Sequence, residues 1–300
     1  MQINKSQKKS NLDERISNLK KQVMQNAITI KNKIKNGTIF KFKKFSIKQK
    51  RVLTWWNDKS PVKDKDGIIT DGSIRSGKTL CMSLSFVMWA MTKYNGQNFI
   101  MAGKTVGAFR RNVLFWLKLM IKAQGYKVKE RRADNLIEIS KGETINYFYV
   151  FGGKDERSQD LIQGITAAGA FLDEVVLMPE SFVTQTLARC SVDGAKYWFT
   201  CNPEGPYHWF KKEWIDKAKE KNLIYLHFTM DDNLSLSEET KERYKKNFVG
   251  VFYKRFILGL WVIAEGAIYQ FFADHINQFF KKKNELDYDF INIRNRLWWK

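Results

Sequence analysis

Short apolar runs alternate with longer helical stretches from Phe45 onward. This alternation predicts an α/β fold with crossover helices. The predicted strands are Gly67–Asp71, Asn98–Ala102, Thr144–Phe151, Ala168–Asp173, Tyr197–Cys201 and Leu223–Phe228. The predicted helices are Lys78–Tyr94, Thr105–Gly125, Pro179–Cys190, Tyr207–Glu220 and Ser237–Leu260. We therefore expect a mostly parallel sheet flanked by helices.

The beginning of the chain does not follow this alternation. Residues 1–53 contain 15 Lys or Arg and two acidic residues, so they carry +13 of the formal net charge of +21. Weak helical periodicity between Ile16 and Ile28 accompanies the charge. An arm that lies on an acidic partner and a solubilising tail both fit this composition. We predict a basic N-terminal arm at residues 1–44.

The composition favours a folded chain with an anionic partner. Hydrophobic residues make up 44% of the 300 positions, which is more than a disordered chain carries. The net charge of +21 favours nucleic acid or an anionic membrane surface as the partner. The longest apolar run, Leu80–Met91, is too short to span a membrane, and the three cysteines form no CxxC pair. We expect a protein of the reducing cytoplasm with no membrane partner.

Residues 72–79 read GSIRSGKT and match the phosphate-binding pattern G-x4-G-K-[ST]. They lie between a predicted strand and a predicted helix, so backbone N–H groups and a helix N-terminus would converge on phosphates. Lys78 would neutralise the β- and γ-phosphates, and the Thr79 hydroxyl would bind Mg²⁺. The candidate nucleotide-binding residues of this loop are Gly72, Ser73, Ile74, Arg75, Ser76, Gly77, Lys78 and Thr79.

Two adjacent carboxylates, Asp173 and Glu174, follow a short apolar run. Asp173 could hold Mg²⁺, and Glu174 could orient and deprotonate the attacking water. Alternatively, the pair only caps the following helix. A Glu directly after this Asp is typical of ring-forming motors and helicase-like ATPases, and it is rare in kinases and GTPases. We predict a P-loop NTPase fold of the ASCE type that hydrolyses ATP with Mg²⁺.

Other polar residues supply candidate contacts to the nucleotide. Thr200 and Asn202 lie at the end of a predicted strand and could hydrogen-bond to the γ-phosphate or the water, unless they form only an Asn-Pro turn. Gln49, upstream of the loop, could donate to and accept from adenine. Arg75 within the loop is the favoured candidate cation for the charge that develops in the transition state, and Arg157 and Arg189 are alternatives.

Together these motifs resemble the ATPase domain of the large subunit of tailed-bacteriophage terminases, near the PBSX-like branch. The resemblance covers roughly Phe45 to Phe272. Its more specific parts are the segments 161–166, 188–191, 200–210, 231–233, 259–261 and 266–269.

The resemblance implies an ATP-hydrolysing motor subunit that moves double-stranded viral DNA into a procapsid in the cytoplasm of the bacterial host. It implies the portal protein, the terminase small subunit and further copies of the chain, in a ring, as partners. Residues 45–272 would form the motor domain, and residues 273–300 a linker or the truncated start of a nuclease domain, so we expect no nuclease activity. A helicase-like or DNA-repair ATPase and a non-hydrolysing assembly adaptor remain alternatives.

Overall fold

Eight strands form one sheet within residues 40–263, the part of the chain that the computed structural model describes. The strands are β1 (Gly67–Gly72), β2 (Asn98–Gly103), β3 (Lys127–Arg131), β4 (Leu136–Lys141), β5 (Thr144–Gly152), β6 (Gly169–Leu172), β7 (Lys196–Thr200) and β8 (Leu223–Phe228). Their order across the sheet is β3-β4-β5-β2-β6-β7-β1-β8. Only the pairs β3–β4 and β4–β5 are antiparallel in this described sheet. The predicted α/β fold with a mostly parallel sheet is confirmed.

Some sequence predictions lie outside the described residues. These are residues 1–39 of the predicted arm, residues 264–272 of the predicted motor domain and the whole predicted linker 273–300. The predicted domain boundaries therefore stay predictions.

All six predicted strands are present, and the hairpin β3–β4 extends the sheet beyond the prediction. Strand β3 alternates the exposed Lys127, Lys129 and Arg131 with the half-buried Val128 and Glu130. Charged residues are typical of an edge strand that must not pair with another chain. They also explain why the sequence did not predict β3, because Val128 is the only apolar residue in this strand.

The helices differ more from the sequence prediction. They are α1 (Ile47–Thr54), α2 (Lys78–Lys93), α3 (Val106–Phe109), α4 (Phe115–Ala123), α5 (Glu180–Ala188), α6 (Glu238–Asn247) and α7 (Gly250–Phe252). A π-helical turn at Arg110–Leu114 joins α3 to α4 within the predicted helix 105–125. The predicted helix 207–220 is helical only at residues 209–215, which include a π-helical turn at Lys211–Ile215, and turns lead from there into β8.

The predicted helix 237–260 is also broken, and helix α1 was not predicted. Phe248 and Val249 have extended backbones between α6 and α7, and the Phe248 ring packs against Phe256 at 5.7 Å between centroids. Helix α1 begins with a capping box, in which the Ser46 side chain accepts from Gln49 N and the Gln49 side chain accepts from Ser46 N. The cap shows why this polar segment is helical.

The buried hydroxyl of Ser85 joins α1, α2 and the sheet. Its Oγ accepts from Trp56 Nε1 at 3.1 Å and from Trp198 Nε1 at 3.2 Å, and it donates to Val52 O at 2.6 Å. The surrounding core is aromatic: the Trp89 and Trp198 rings lie 4.8 Å apart. One small polar side chain thus satisfies three buried groups at once.

The carboxyl ends of β1, β6 and β7 lie at the same edge of the sheet, because these strands are parallel neighbours. Residues that follow them therefore converge there. Of the helices described, none has the length and apolar character needed to cross a lipid bilayer.

We expect Ser85→Ala to lower the free energy of unfolding by about 2–4 kcal/mol, because it leaves two buried indole N–H groups without an acceptor. Urea denaturation of the variant would measure the loss. Ser83→Ala is the matched control, since the buried Ser83 hydroxyl donates to Leu80 O on its own helix. Equal losses for the two variants would contradict this role of Ser85.

Candidate nucleotide site

The phosphate-loop sequence forms the predicted connection between β1 and α2. Gly72 has a φ of 119°, and a Cβ there would lie 1.9 Å from Phe228 O, so only glycine fits. Gly77 has a φ of 84° and caps α2. The amides of Lys78 and Thr79 open that helix and have no intrahelical acceptor. The loop therefore presents donors to an anion, as its sequence predicts.

The Lys78 ammonium is buried within the loop. Its Nζ donates to Ser73 O at 2.7 Å, to Gly72 O at 3.1 Å, to Ser76 Oγ at 3.3 Å and to Asn202 Oδ1 at 3.2 Å. Burial lowers the pKa of Lys78 to about 8. An anionic ligand beside this ammonium would stabilise its charged form.

A chain of hydrogen bonds connects α2 to the ends of β6 and β7. Asp173 Oδ1 accepts from Thr79 Oγ1 at 2.8 Å and from Thr200 Oγ1 at 2.6 Å. Thr200 Oγ1 also accepts from Glu174 N at 3.1 Å. Burial raises the pKa of Asp173, and the hydrogen bonds from the two threonines oppose this rise. The structure thus brings together the residues that the sequence predicted on three separate elements.

Thr79 and Asp173 fit a magnesium ion. A hydroxyl and a carboxylate are the hard oxygen donors that Mg²⁺ prefers, and these two oxygens lie 2.8 Å apart. Between residues 40 and 263, His, Cys, Asp and Glu form no group of three or more that could hold a metal. A magnesium ion here would therefore take further ligands from water and from phosphate oxygens.

Glu174 has the left-handed backbone that non-glycine residues rarely adopt, with a φ of 55°. Glu174 lines the cavity together with residues of the phosphate loop. Burial is the first cause and the adjacent Asp173 the second cause of its raised pKa, while Lys78 and Lys104 act in the opposite direction. A carboxylate with a raised pKa is suited to accept a proton near neutral pH.

The cavity has a volume of about 300 Å³. Residues of the loop, of α2, of the segments after β6 and β8, and of the end of β7 line it: Ile74, Arg75, Ser76, Gly77, Lys78, Thr79, Leu80, Glu174, Thr200, Cys201, Asn202 and Asn233. Asn233 has no role predicted from the sequence, although it belongs to one of the segments that resemble terminases. Its Nδ2 donates to Arg75 O at 2.7 Å.

The remaining predicted contacts have partners within the chain. Gln49 Oε1 accepts from Ser46 N at 3.0 Å, and a Cβ on Gly77 would lie 2.7 Å from Gln49 Nε2. Gln49 therefore lies against the loop, with one end of its amide already engaged. The exposed Arg75 holds its Cζ 5.5 Å from the centroid of the Tyr244 ring. The Thr200 hydroxyl forms hydrogen bonds with both Asp173 and Glu174, so it positions these two residues. The phosphate contact of Thr200 and the adenine contact of Gln49 stay predictions.

A family model described as the N-terminal part of the T4-like-virus type of terminase large subunit matches residues 69–274. The chain belongs to this terminase family. The predicted resemblance to terminase large subunits is confirmed. Among curated protein sequences, none matches this terminase chain.

Solved terminase structures agree with this assignment. The large terminase of a thermophilic bacteriophage matches with 68% identity over 76% of this chain and 56% of that chain, at a TM-score of 0.73. Its complex with ADP matches at 67% identity over 76% of this chain and 56% of that chain, at a TM-score of 0.72. Its complex with ATP-gamma-S matches at 65% identity over 73% of this chain and 53% of that chain, at a TM-score of 0.70. This terminase chain therefore spans little more than half of the thermophilic phage's terminase chain.

The ATPase domain of the Thermus phage P74-26 large terminase shares the fold. It is 15% identical, covers 66% of this chain and 90% of its own, and has a TM-score of 0.51. The predicted P-loop NTPase fold is thereby confirmed.

The buried Lys78 makes the free energy of unfolding of this terminase chain depend on pH. With a pKa of about 8 in the folded state and 10.5 as the ordinary value, the folded state binds fewer protons than the unfolded state between these limits. The free energy of unfolding therefore rises with pH in this range. We expect it to rise by about 2 kcal/mol from pH 7.0 to 9.5, relative to the variant Lys78→Met.

Urea denaturation of both proteins at the two pH values would test this. The comparison cancels the titration of groups that both proteins share. A stability difference that is independent of pH would contradict a lowered pKa for Lys78.

Proposed function

We propose that this terminase chain is the ATP-hydrolysing part of a motor that translocates double-stranded viral DNA into a procapsid. The observation that carries the proposal is the set of contacts among Thr79, Asp173, Thr200 and Glu174 beside the phosphate loop. A site that only held an anion would not need two adjacent carboxylates. Their arrangement supports hydrolysis of the bound nucleotide.

Each group has one task in this reaction. The loop amides and Lys78 bind the β- and γ-phosphates, and Thr79 and Asp173 hold Mg²⁺. When bound, Mg²⁺ supplies positive charge to the phosphate oxygens. Glu174 orients the attacking water and accepts its proton on the carboxylate.

Thr200 and Asn202 support these groups. The Thr200 hydroxyl fixes the Asp173 carboxylate and the Glu174 backbone, and Asn202 holds the Lys78 ammonium. Arg75 could turn from Tyr244 toward the phosphates, and Gln49 could donate from Nε2 to adenine. The complexes of the thermophilic-phage terminase with ADP and with ATP-gamma-S support ATP as the nucleotide.

Duplex DNA is the proposed cargo. The formal net charge of +21 supports contact with phosphate backbones without base recognition. Family membership supports the portal protein, the terminase small subunit and further copies of this chain as partners, acting in the cytoplasm of the bacterial host. A helicase-like ATPase would instead separate forked strands, and an assembly adaptor would bind nucleotide without turnover.

We expect Glu174→Gln to lower the rate of DNA-stimulated ATP hydrolysis at least ~100-fold, because the variant has no base for the water. Binding of ADP should remain. Phosphate release in the presence of linear duplex DNA measures the first effect, and the fluorescence of a labelled ADP the second. The control Glu180→Gln changes an exposed glutamate in the first turn of α5. Full turnover by Glu174→Gln would rule out this base.

Thr200→Val should lower the rate of hydrolysis about tenfold or more while ADP affinity changes little. Valine keeps the shape but leaves Glu174 N without an acceptor and Asp173 without one donor. Thr200→Ser restores the hydroxyl and should recover most of the rate. If serine and valine behave alike, the hydroxyl does not position the carboxylates.

A further inference from the structure

Residues 253–262, here called the strap, pack against the phosphate loop. Phe256 O accepts from Ile74 N at 2.9 Å. Gly259 has a φ of 72°, and a Cβ there would lie 2.9 Å from both Gly72 Cα and Ser73 N. The strap therefore contacts the first three residues of the loop, and its closest approach requires glycine.

The buried Asp71 fastens the strap next to the loop. Asp71 is the residue before Gly72 and has no exposed surface. Its Oδ2 accepts from Trp261 Nε1 at 2.7 Å, and its Oδ1 lies 2.9 Å from His227 Nδ1. A buried carboxylate is stable only when hydrogen-bond donors surround it, and donors on β8 and on the strap do so here.

A second fastening joins the strap to the chain after β7. Arg255 Nη1 donates to Glu204 Oε2 at 2.8 Å, and Arg255 Nη2 donates to Val262 O at 2.8 Å. Glu204 lies two residues after Asn202, which accepts from Lys78. The strap thus contacts both the phosphate loop and the segment after β7, and residues of both segments line the cavity.

The conformation of the loop needs contacts with other segments to stabilise it, because a glycine lies near each end of the loop. Gly72 and Gly77 permit its conformation but do not enforce it. Donors that bind phosphate act best when their geometry is fixed beforehand. The contacts of the strap are placed to supply this rigidity.

We propose that Asp71 and Trp261 are positioning residues that hold the phosphate loop in its nucleotide-binding conformation through the strap. This inference rests on the proposed function for its effect on nucleotide binding. The mechanical part, bracing of the loop, concerns the chain without nucleotide.

The test compares Trp261→Phe with Trp55→Phe. Both variants exchange an indole for a phenyl ring, but Trp55 Nε1 has no hydrogen-bond partner among the described residues. Without nucleotide, we expect the amides of residues 72–77 to exchange hydrogen about tenfold faster in Trp261→Phe than in the unchanged chain. Trp55→Phe should destabilise the protein. It should leave the exchange rate of the loop amides, relative to the exchange rate of amides in the strands, unchanged.

With a fluorescent ADP and Mg²⁺, Trp261→Phe should bind about tenfold more weakly, and Trp55→Phe within about twofold of the unchanged chain. The variant Asp71→Asn, alone and combined with Trp261→Phe, completes a double-mutant cycle. Effects of the two substitutions that do not add would support a shared contact, and strictly additive effects would refute it.

The two measurements separate the two proposals. Loop exchange that is unchanged in Trp261→Phe would overturn the bracing role, whether or not the protein binds ADP. Failure of the unchanged chain to bind ADP would count against the proposed function. Faster loop exchange with unchanged ADP affinity would also overturn the positioning role, because the brace would then not serve the nucleotide.

Discussion

The hydrogen bond from Thr79 Oγ1 to Asp173 Oδ1 joins the first turn of α2 to the end of β6 across 2.8 Å. Strand order explains how this contact arises. Strand β7 lies between β1, which leads into the loop, and β6, which leads into Asp173. Register pairs Thr70 with Thr200 and Leu172 with Phe199, so Thr200 stands beside Asp173. The Thr200 hydroxyl therefore reaches both the Asp173 carboxylate and the Glu174 amide. The arrangement of the two carboxylates depends on this hydroxyl.

Burial of charge gives the site its sensitivity to an anion. Lys78 and Glu174 line the cavity, and Asp173 is the residue before Glu174. Burial lowers the pKa of Lys78 and raises the pKa of Asp173 and of Glu174, so it favours the neutral form of each. The Lys78 ammonium donates to carbonyl oxygens of the loop, which are dipoles and not full charges. Phosphate oxygens would provide stronger partners at the same place. A polyphosphate could therefore replace these carbonyl partners of Lys78 with charged ones.

The parts of the site that the sequence predicts are local. The loop fits one continuous pattern, and Asp173, Glu174 and Thr200 each follow an apolar run that ends at the same sheet edge. Hairpin β3–β4 was missed because charges on an edge strand mask its alternation, and α1 because its cap depends on the single pair Ser46 and Gln49. The contact of Trp261 with Asp71 joins residues 190 positions apart, and no periodicity in the sequence marks such a pair.

The long-range contacts also change how the loop itself is understood. Its amides at Ser73 and Ile74 donate to Phe228 O and Phe256 O, each at 2.9 Å. Lys78 and Thr79 instead open a helix, and their amides have no acceptor within that helix. The loop thus has a supported half and a half left for ligand. Asn233 holds Arg75 O at the boundary between the two halves. The phosphate pattern specifies which groups can bind, and the supports from β8 and the strap determine where those groups point.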